Sequence, residues 1–282
     1  MSPDAPAPPV FGLIVLGDEI LSGKRADKHM ARVIELLAAR GLGLSWAEYV
    51  GDEPARITAT LRRAFASGDI VFSTGGIGAT PDDHTRQCAA AALGVPLVLH
   101  PEAKRLIQQR LRDVAEKEGV PWAPERADNL HRLNMGVFPE GAGIIPNPYN
   151  QIPGFFCQGP TAAADRGVIY FVPGFPVMAW PMIEWVLDHH CAHMHRQAAW
   201  QERSIVIYGA AEAALTPVME RVEAAHPGVK VFSLPSVDHP EHGRHIELGV
   251  KGAPAAVGQA YADLRAWLAP FDLRCGPELV RP

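Results

Sequence analysis

The segment 73–85, STGGIGATPDDHT, contains residue types that can bind an anion, hold a cation or form a turn. Its glycines allow the backbone to approach a ligand without a Cβ in the way. Asp82 and Asp83 would repel a phosphate, but carboxylates can coordinate a metal ion or cap a helix N-terminus. The residues alone therefore leave a phosphate site, a metal site and a tight turn open. The glycines are Gly75, Gly76 and Gly78.

The pattern around this segment is that of a strand, a loop and a helix. Residues 69–74, DIVFST, are an apolar run of strand length, and a short helix is expected over 85–93. In parallel α/β sheets, ligands bind beyond the carboxyl ends of the strands, where helix N-termini attract anions. The glycine spacing, however, matches neither the G-x-G-x-x-G nor the G-x-x-x-x-G-K-[ST] nucleotide fingerprint.

Strands and helices alternate along the first part of the chain, which predicts an α/β fold with a mostly parallel central sheet. Strands at 10–17 and 44–50 each lead into a helix, the first over 26–40 and the second after Asp52. Asp52 is expected to cap that second helix. Helices on both faces of the sheet would form a three-layer α/β/α sandwich. The apolar face of the second helix consists of Ile57, Leu61, Ala64 and Phe65.

The second part of the chain restarts the pattern. A strand within 167–176 and a helix over 177–195 close the first part. From about residue 198 the sequence predicts a strand, a helix, two strands and a final helix, which is the size of a small α+β domain. We therefore predict three regions: a proline-rich, disordered leader at 1–9, an α/β domain at 10–197 and an α+β domain at 198–282.

Composition argues against several classes of protein. The net charge of −5 and an isoelectric point near 6.2 give no electrostatic basis for binding nucleic acid. The four cysteines form no C-x-x-C pair, which argues against structural zinc and a disulfide scaffold. No apolar run approaches the roughly 20 residues that span a bilayer, and the first residues lack a secretory signal. We expect a cytoplasmic protein without nucleic-acid or membrane partners.

Five motifs resemble, in the same order, those of the molybdopterin-binding domain family of molybdenum cofactor biosynthesis. TGGIGATPDDHT is similar to the family signature TGG-x-G-x-x-x-x-D-x-T, and LGDEILSGK at 16–24 is similar to its first loop. VGD at 50–52, PEGAGIIPNP with PGF within 139–155, and VPGFPVMAWPM at 172–182 resemble further loops. The branch of competence/damage-inducible proteins is the nearest, because YGAAEAAL near the end of the chain is similar to a segment of that branch.

The resemblance implies a pocket for a pterin or a nucleotide that carries phosphate. By motif position, Asp52 and Asp83 match the family's two functional aspartates, with catalytic or metal-binding roles. A divalent metal between these carboxylates and a pyrophosphate would remove the charge conflict in the segment 73–85. The resemblance also implies a homo-oligomer. The ligand-binding positions that it implies are Gly17, Glu19, Thr74, Gly75, Gly76, Gly78, Thr85, Asn147, Pro173 and Gly174.

The chain departs from this branch in two loops. Where relatives usually read PGPPSEM, this chain reads PGFPVMA at 173–179, without the Ser and the Glu. In the other loop, Tyr149, Asn150 and Gln151 stand where the family has smaller residues. Three functions stay open: metal-dependent hydrolysis of a nucleotide pyrophosphate such as ADP-ribose or FAD, a non-catalytic ligand-binding or assembly role, and adenylyl or molybdenum transfer in molybdopterin biosynthesis.

Overall fold

The computed structural model describes residues 10–160, 167–195, 201–241 and 243–281. The chain divides into two compact units, residues 1–195 and 196–282. The leader that the sequence predicts at 1–9 lies outside the described residues.

The first unit alternates strands and helices for most of its length. Its elements are β1 (Phe11–Leu16), α1 (Asp18–Leu21), α2 (His29–Ala38), β2 (Leu44–Val50), α3 (Pro54–Ser67), β3 (Ile70–Thr74), α4 (Thr85–Leu93), β4 (Leu97–Leu99), α5 (Pro101–Glu118), α6 (Ala127–Arg132), β5 (Val137–Pro139), β6 (Gly143–Ile145), β7 (Gly154–Gln158), β8 (Val168–Val172) and α7 (Pro176–His189).

Six strands of this unit form one sheet in the order β2-β1-β3-β8-β7-β6. β1 pairs in parallel with β2 and β3, and β3 pairs in parallel with β8. β7 and β6 run antiparallel at one edge. The mostly parallel central sheet is confirmed, with an antiparallel edge that the sequence pattern did not reveal. Because the parallel strands point the same way, their carboxyl ends meet along one edge of the sheet.

The strands place alternate side chains in two apolar cores, one on each face of the sheet. In β1, Leu13 and Val15 pack in the core that contains residues of α2 and α7. Ile14 and Leu16 pack in the other core, with residues of α3 and α4. The predicted apolar face of α3 is buried in this second core. The three-layer α/β/α sandwich is therefore confirmed.

The second unit is a small α+β fold, as predicted. Its elements are β9 (Gln201–Tyr208), α8 (Glu212–Ala225), β10 (Lys230–His239), β11 (Gly243–Gly252), α9 (Pro254–Leu268) and β12 (Arg274–Arg281). The strands form an antiparallel sheet in the order β10-β11-β9-β12, and apolar side chains of α8 and α9 share one core with this sheet. The sequence pattern missed β12 because it is an exposed edge strand, interrupted by a register shift between Cys275 and Glu278.

Two predictions about helix ends are wrong. Asp52 does not cap α3, since Glu53 is the N-cap residue and the Asp52 carboxylate accepts the Asp18 N–H instead. The helix predicted over 177–195 ends at His189, and a short 3-10 turn follows. The His190 ring lies against the Tyr170 hydroxyl at 3.1 Å, so the chain turns back towards β8.

Two expectations from composition concern cysteines and membrane spans. All four cysteines are free thiols; Cys88, Cys157 and Cys191 are buried, and Cys275 is exposed. Among the helices in the described part of the chain, none combines the length and apolarity needed to cross a bilayer.

A stack of aromatic rings joins β7, in the antiparallel edge of the sheet, to β8 and to β5. Phe155 lies between Phe138 and Phe171, with ring centroids 4.7 and 4.4 Å away. All three side chains are fully buried. Rings packed in this way contribute both apolar burial and direct ring contact.

Replacing Phe155 with alanine should lower the free energy of unfolding by about 3–5 kcal/mol, because a cavity forms between two rings that cannot collapse together. Chemical denaturation measures this loss. Phe271→Ala is the matched control, since Phe271 is 40% exposed. Equal effects of the two substitutions would contradict the role of the stack.

Candidate functional site

A cavity of about 510 Å³ lies beyond the carboxyl ends of β1, β3 and β8. Its size is typical of small-molecule sites, and its place in the sheet is where α/β folds bind ligands. We call it the main cavity. All the positions that the family resemblance implies contribute to its lining except Thr85. The structure thus brings together residues from five separate motifs, and their individual roles stay predictions.

The glycine loop, residues 75–83, needs glycine at two positions. Gly75 and Gly76 have φ angles of +100° and +67°, which other residues rarely adopt. A Cβ on Gly75 would lie 2.7 Å from the Leu16 carbonyl oxygen, and one on Gly76 would clash with the Thr85 hydroxyl. The loop therefore packs directly against β1 and against the start of α4.

Asp83 holds this loop in shape. One of its carboxylate oxygens accepts the Gly78 N–H at 2.8 Å. The other accepts the Thr80 N–H at 2.8 Å and the Thr80 hydroxyl at 2.6 Å. The Asp83 carboxylate thus bonds within its own loop. Neither aspartate is the N-cap residue of α4, because that position belongs to His84.

Several hydrogen-bond donors of the main cavity are left without an acceptor. Within the described residues, the N–H groups of Gly76, Ile77 and Ala79 make no hydrogen bond. The Thr74 hydroxyl is buried and also has no partner among these residues. Ile77 and Thr74 are buried, and buried polar groups are nearly always bonded. Together with the half-buried Gly76 and Ala79, they form a set of donors that suits a ligand acceptor.

Carboxylates occupy another part of the lining. Two hydrogen bonds between Asp18 and Asp52 join the loops after β1 and β2. The Asp18 N–H donates to the Asp52 carboxylate at 3.0 Å, and the Asp52 N–H donates to the Asp18 carboxylate at 3.2 Å. Glu19 folds over Gly17, where a Cβ would meet its carboxylate. Burial raises the pKa of Asp52, and the charges of Asp18 and Glu19 raise it further, whereas the Asp18 N–H opposes the shift. The excess negative charge here favours a cation or a polar hydrogen-bond donor.

Two predicted ligand-binding residues use their side chains within the protein. The Thr85 hydroxyl donates to the Gly75 carbonyl oxygen at 3.1 Å. The Asn147 amide donates to Asn150 at 2.8 Å and to the Ile152 carbonyl oxygen at 2.9 Å. Both residues shape loops that line the cavity, and direct ligand contact by them stays a prediction.

Sequence reasoning missed two basic residues in the lining. Arg25 is the one Lys or Arg in the described lining of the main cavity. His29 is buried, and its Nε2 lies 3.0 Å from the Gly174 carbonyl oxygen, which ties α2 to the loop after β8. No motif spacing could reveal this contact, because 145 residues separate the two partners.

The structure gives no ready-made metal centre. In the ranges that it describes, no group of three His, Cys, Asp or Glu side chains is placed to hold an ion. Both oxygens of Asp83 are bonded to the glycine loop, which leaves Asp52 and Glu19 as the freer carboxylates. The metal-binding roles of Asp52 and Asp83 stay predictions.

Fold and cavity together define the first unit as an α/β small-molecule-binding domain with a glycine loop at the sheet edge. Residues 12–193 match a family model described as a probable molybdopterin binding domain. The chain belongs to this family.

The comparisons with individual proteins point to the competence-damage branch of the family. The chain is 32% identical over 221 residues to a CinA-like protein of Anaeromyxobacter dehalogenans, covering 77% of this chain and 50% of that protein. It is 30% identical over 200 residues to a putative competence-damage inducible protein of a Thermoanaerobacter species, covering 71% and 45%. The chain spans about half the length of these relatives.

Two further relatives match this chain over nearly their whole length. A Pyrobaculum calidifontis protein is 28% identical over 260 residues, covering 91% of this chain and 94% of its own. The crystal structure of a CinA protein of unknown function from Thermoplasma acidophilum has a TM-score of 0.52 at 25% identity. It covers 64% of this chain and 97% of its own.

Replacing Asp83 with asparagine should loosen the glycine loop and weaken ligand binding. An amide cannot accept bonds from both Gly78 and Thr80 as the carboxylate does, and an unmet loop bond costs about 1–3 kcal/mol. Thermal melting and calorimetric titration measure the two effects. Asp82→Asn is the control for the melting temperature, because it removes a neighbouring charge without the bonds to Gly78 and Thr80. Equal losses of melting temperature would refute the loop role of Asp83.

Replacing Asp52 with asparagine should leave the protein as stable as before or more stable at neutral pH. Because the pKa of Asp52 is raised, the folded state loses stability as pH rises from the ordinary Asp range through the raised value. Asparagine removes this loss and can still accept the Asp18 N–H, for a gain of up to about 1 kcal/mol.

Chemical denaturation across pH measures this change. Asp188→Asn is the control, and it should lower the free energy of unfolding at neutral pH. Arg40 lowers the pKa of Asp188, and the charged pair stabilises the fold. A clear loss of stability in D52N at neutral pH would show that its charge is structural.

Proposed function

We propose that the main cavity binds a pterin or a nucleotide through its phosphate. The observation that carries this proposal is the unbonded set of donors in the glycine loop, the N–H groups of Gly76, Ile77 and Ala79. Backbone N–H groups at a strand-to-helix turn are the usual recognition element for phosphate. The match to the molybdopterin-binding family supports a pterin-type ligand.

The distribution of charge in the cavity supports one orientation of the ligand. Phosphate oxygens would accept bonds from the glycine loop, beside the N-terminus of α7, whose dipole also favours an anion. The donor groups of a heterocyclic ring would lie towards the carboxylates of Glu19 and Asp52. Phe175 and Met178 add apolar surface to the lining, which suits the face of a planar ring.

Hydrolysis of a nucleotide pyrophosphate is the second candidate function, and the carboxylates of Glu19 and Asp52 favour it. Mg²⁺ is commonly held by one or two carboxylates together with the phosphates of the ligand. Glu19 and Asp52 would therefore hold the ion only when the phosphates of a bound ligand complete its coordination. When bound, the ion would supply charge neutralisation at the phosphates. Asp52 and Glu19 would position it, and the glycine loop would orient the phosphates.

Two properties of the chain remain predictions, self-association into a homo-oligomer and a cytoplasmic location. The chain spans about half the length of the longer relatives, so that it shares their activity is also a proposal.

Thr74→Val tests the proposed phosphate site with little structural cost. The Thr74 hydroxyl is buried without a partner, so removing it should leave the unfolding free energy unchanged or raise it. If the hydroxyl donates to the ligand, affinity should fall about tenfold, the value of one hydrogen bond to a charged group. Calorimetric titration with molybdopterin, ADP-ribose, FAD and NAD, each with and without Mg²⁺, Mn²⁺ or Co²⁺, measures affinity and metal dependence.

Ser73→Ala is the matched control. Its hydroxyl is also buried and unpartnered, but Ser73 does not contribute to the described lining of the main cavity. Equal affinities of T74V and S73A would contradict the proposed contact. Product formation in the same mixtures decides between hydrolysis and binding alone, and absence of binding to every ligand in the panel would overturn the proposed function.

A further inference from the structure

A second cavity, of about 330 Å³, lies next to the main one. Ala79, Thr80 and Asp83 contribute to both linings, so the end of the glycine loop forms a wall between the two spaces. The rest of its lining includes His84, the N-cap residue of α4, and Arg86 and Gln87 of the first turn of that helix. His131 of α6 and Asn134 of the turn after α6 also contribute. We call it the Arg86 cavity after the one Lys or Arg in its described lining.

Arg86 is a buried cation with few partners. Only 4% of the residue is exposed. One guanidinium nitrogen donates to the Ile77 carbonyl oxygen, and within the described residues the remaining N–H groups make no hydrogen bond or ion pair. Burial lowers the pKa of Arg86, and the more distant charge of Asp83 offsets this in part.

The bond to Ile77 does not account for this arrangement. A neutral donor would hold one carbonyl oxygen as well, without the cost of removing a charge from water. A guanidinium presents several donors in a planar fork, which suits an oxyanion with two or more acceptor atoms. The unused part of the fork therefore indicates an acceptor in the Arg86 cavity.

The start of α4 adds donors of the same kind. In the described chain, the backbone N–H groups of Arg86 and Gln87 have no acceptor. They belong to the first turn of the helix, where the dipole favours negative charge. Both residues contribute to the lining of the Arg86 cavity and not to that of the main cavity.

No other side chain of the described lining accepts a hydrogen bond from the Arg86 guanidinium. Both oxygens of Asp83 accept bonds from Gly78 and Thr80. His131 bonds to the Ala79 carbonyl oxygen at 3.0 Å through Nε2, and its Nδ1 lies 3.4 Å from the Asn134 amide. Asp83 offsets part of the charge of Arg86, and an oxyanion would accept the guanidinium N–H groups that Asp83 leaves unused.

We propose that the Arg86 cavity binds an oxyanion, a phosphate or a carboxylate, held by the Arg86 guanidinium and the N-terminus of α4. This site is separate from the proposed pterin or nucleotide site. Because Arg86 also holds Ile77 of the glycine loop, an anion in the Arg86 cavity contacts the group that supports the main cavity.

The test is a titration of the full chain, labelled with ¹⁵N, with inorganic phosphate and separately with acetate. The Arg86 Nε–H resonance is the probe, assigned by its absence in R86K. A saturable shift supports the site if its midpoint is the same in T74V, the variant expected to weaken phosphate binding in the main cavity. A midpoint that moves with T74V would assign the shift to the main cavity and contradict the proposal, and otherwise the anion that acts at lower concentration is the preferred oxyanion. No shift with either anion would overturn the proposal, whatever binds in the main cavity.

Gln87→Glu provides a second test that keeps Arg86 in place. A carboxylate added to the lining should occupy the unused donors, weaken binding of the preferred anion about tenfold and raise the melting temperature in its absence. Gln108→Glu makes the same charge change on α5, outside both described linings, and is the control. Equal anion affinity and equal melting temperatures in the two variants would contradict an anion site at Arg86.

Discussion

The bonding of Asp83 is the interaction on which the arrangement of the site depends. By accepting the Gly78 and Thr80 N–H groups, its carboxylate fixes the alternate amides of the glycine loop. The N–H groups of Gly76, Ile77 and Ala79 are then left for a ligand. A negative side chain thus helps to build an anion site, because both of its oxygens bond to the loop and the remaining N–H groups are free for a ligand. The charges of Asp82 and Asp83 remain in the lining, beside the glycines.

The rest of the fold serves to hold this loop against its neighbours. Parallel pairing of β1, β3 and β8 brings three loops to one edge of the sheet. Bonds between distant residues then fix these loops: Asp18 with Asp52, and His29 with Gly174. The first bond joins the loops after β1 and β2, and the second joins α2 to the loop after β8, so the cavity forms only when the whole α/β/α sandwich has folded.

Much of this fold could be predicted from the sequence. An apolar run of strand length predicts the strand before the glycine loop. Apolar residues at helical spacing predict the buried face of α3. The lining of the main cavity followed from motif resemblance, because the family's motifs end at the same sheet edge. The sequence could not show that Asp52 bonds to Asp18 in place of capping α3, since that choice depends on two loops 34 residues apart. For the same reason it could not reveal the buried Arg86, whose environment is built from α4, α6 and the glycine loop.

Amide hydrogen exchange of the glycine loop, measured residue by residue with and without the ligand that binds most tightly, tests the central claim most directly. If phosphate is bound by the backbone, exchange at Gly76, Ile77 and Ala79 should slow markedly on binding. Exchange at Gly78 and Thr80 should change little, because Asp83 already accepts their N–H groups. Unchanged exchange at Gly76, Ile77 and Ala79 in the saturated protein would contradict the account.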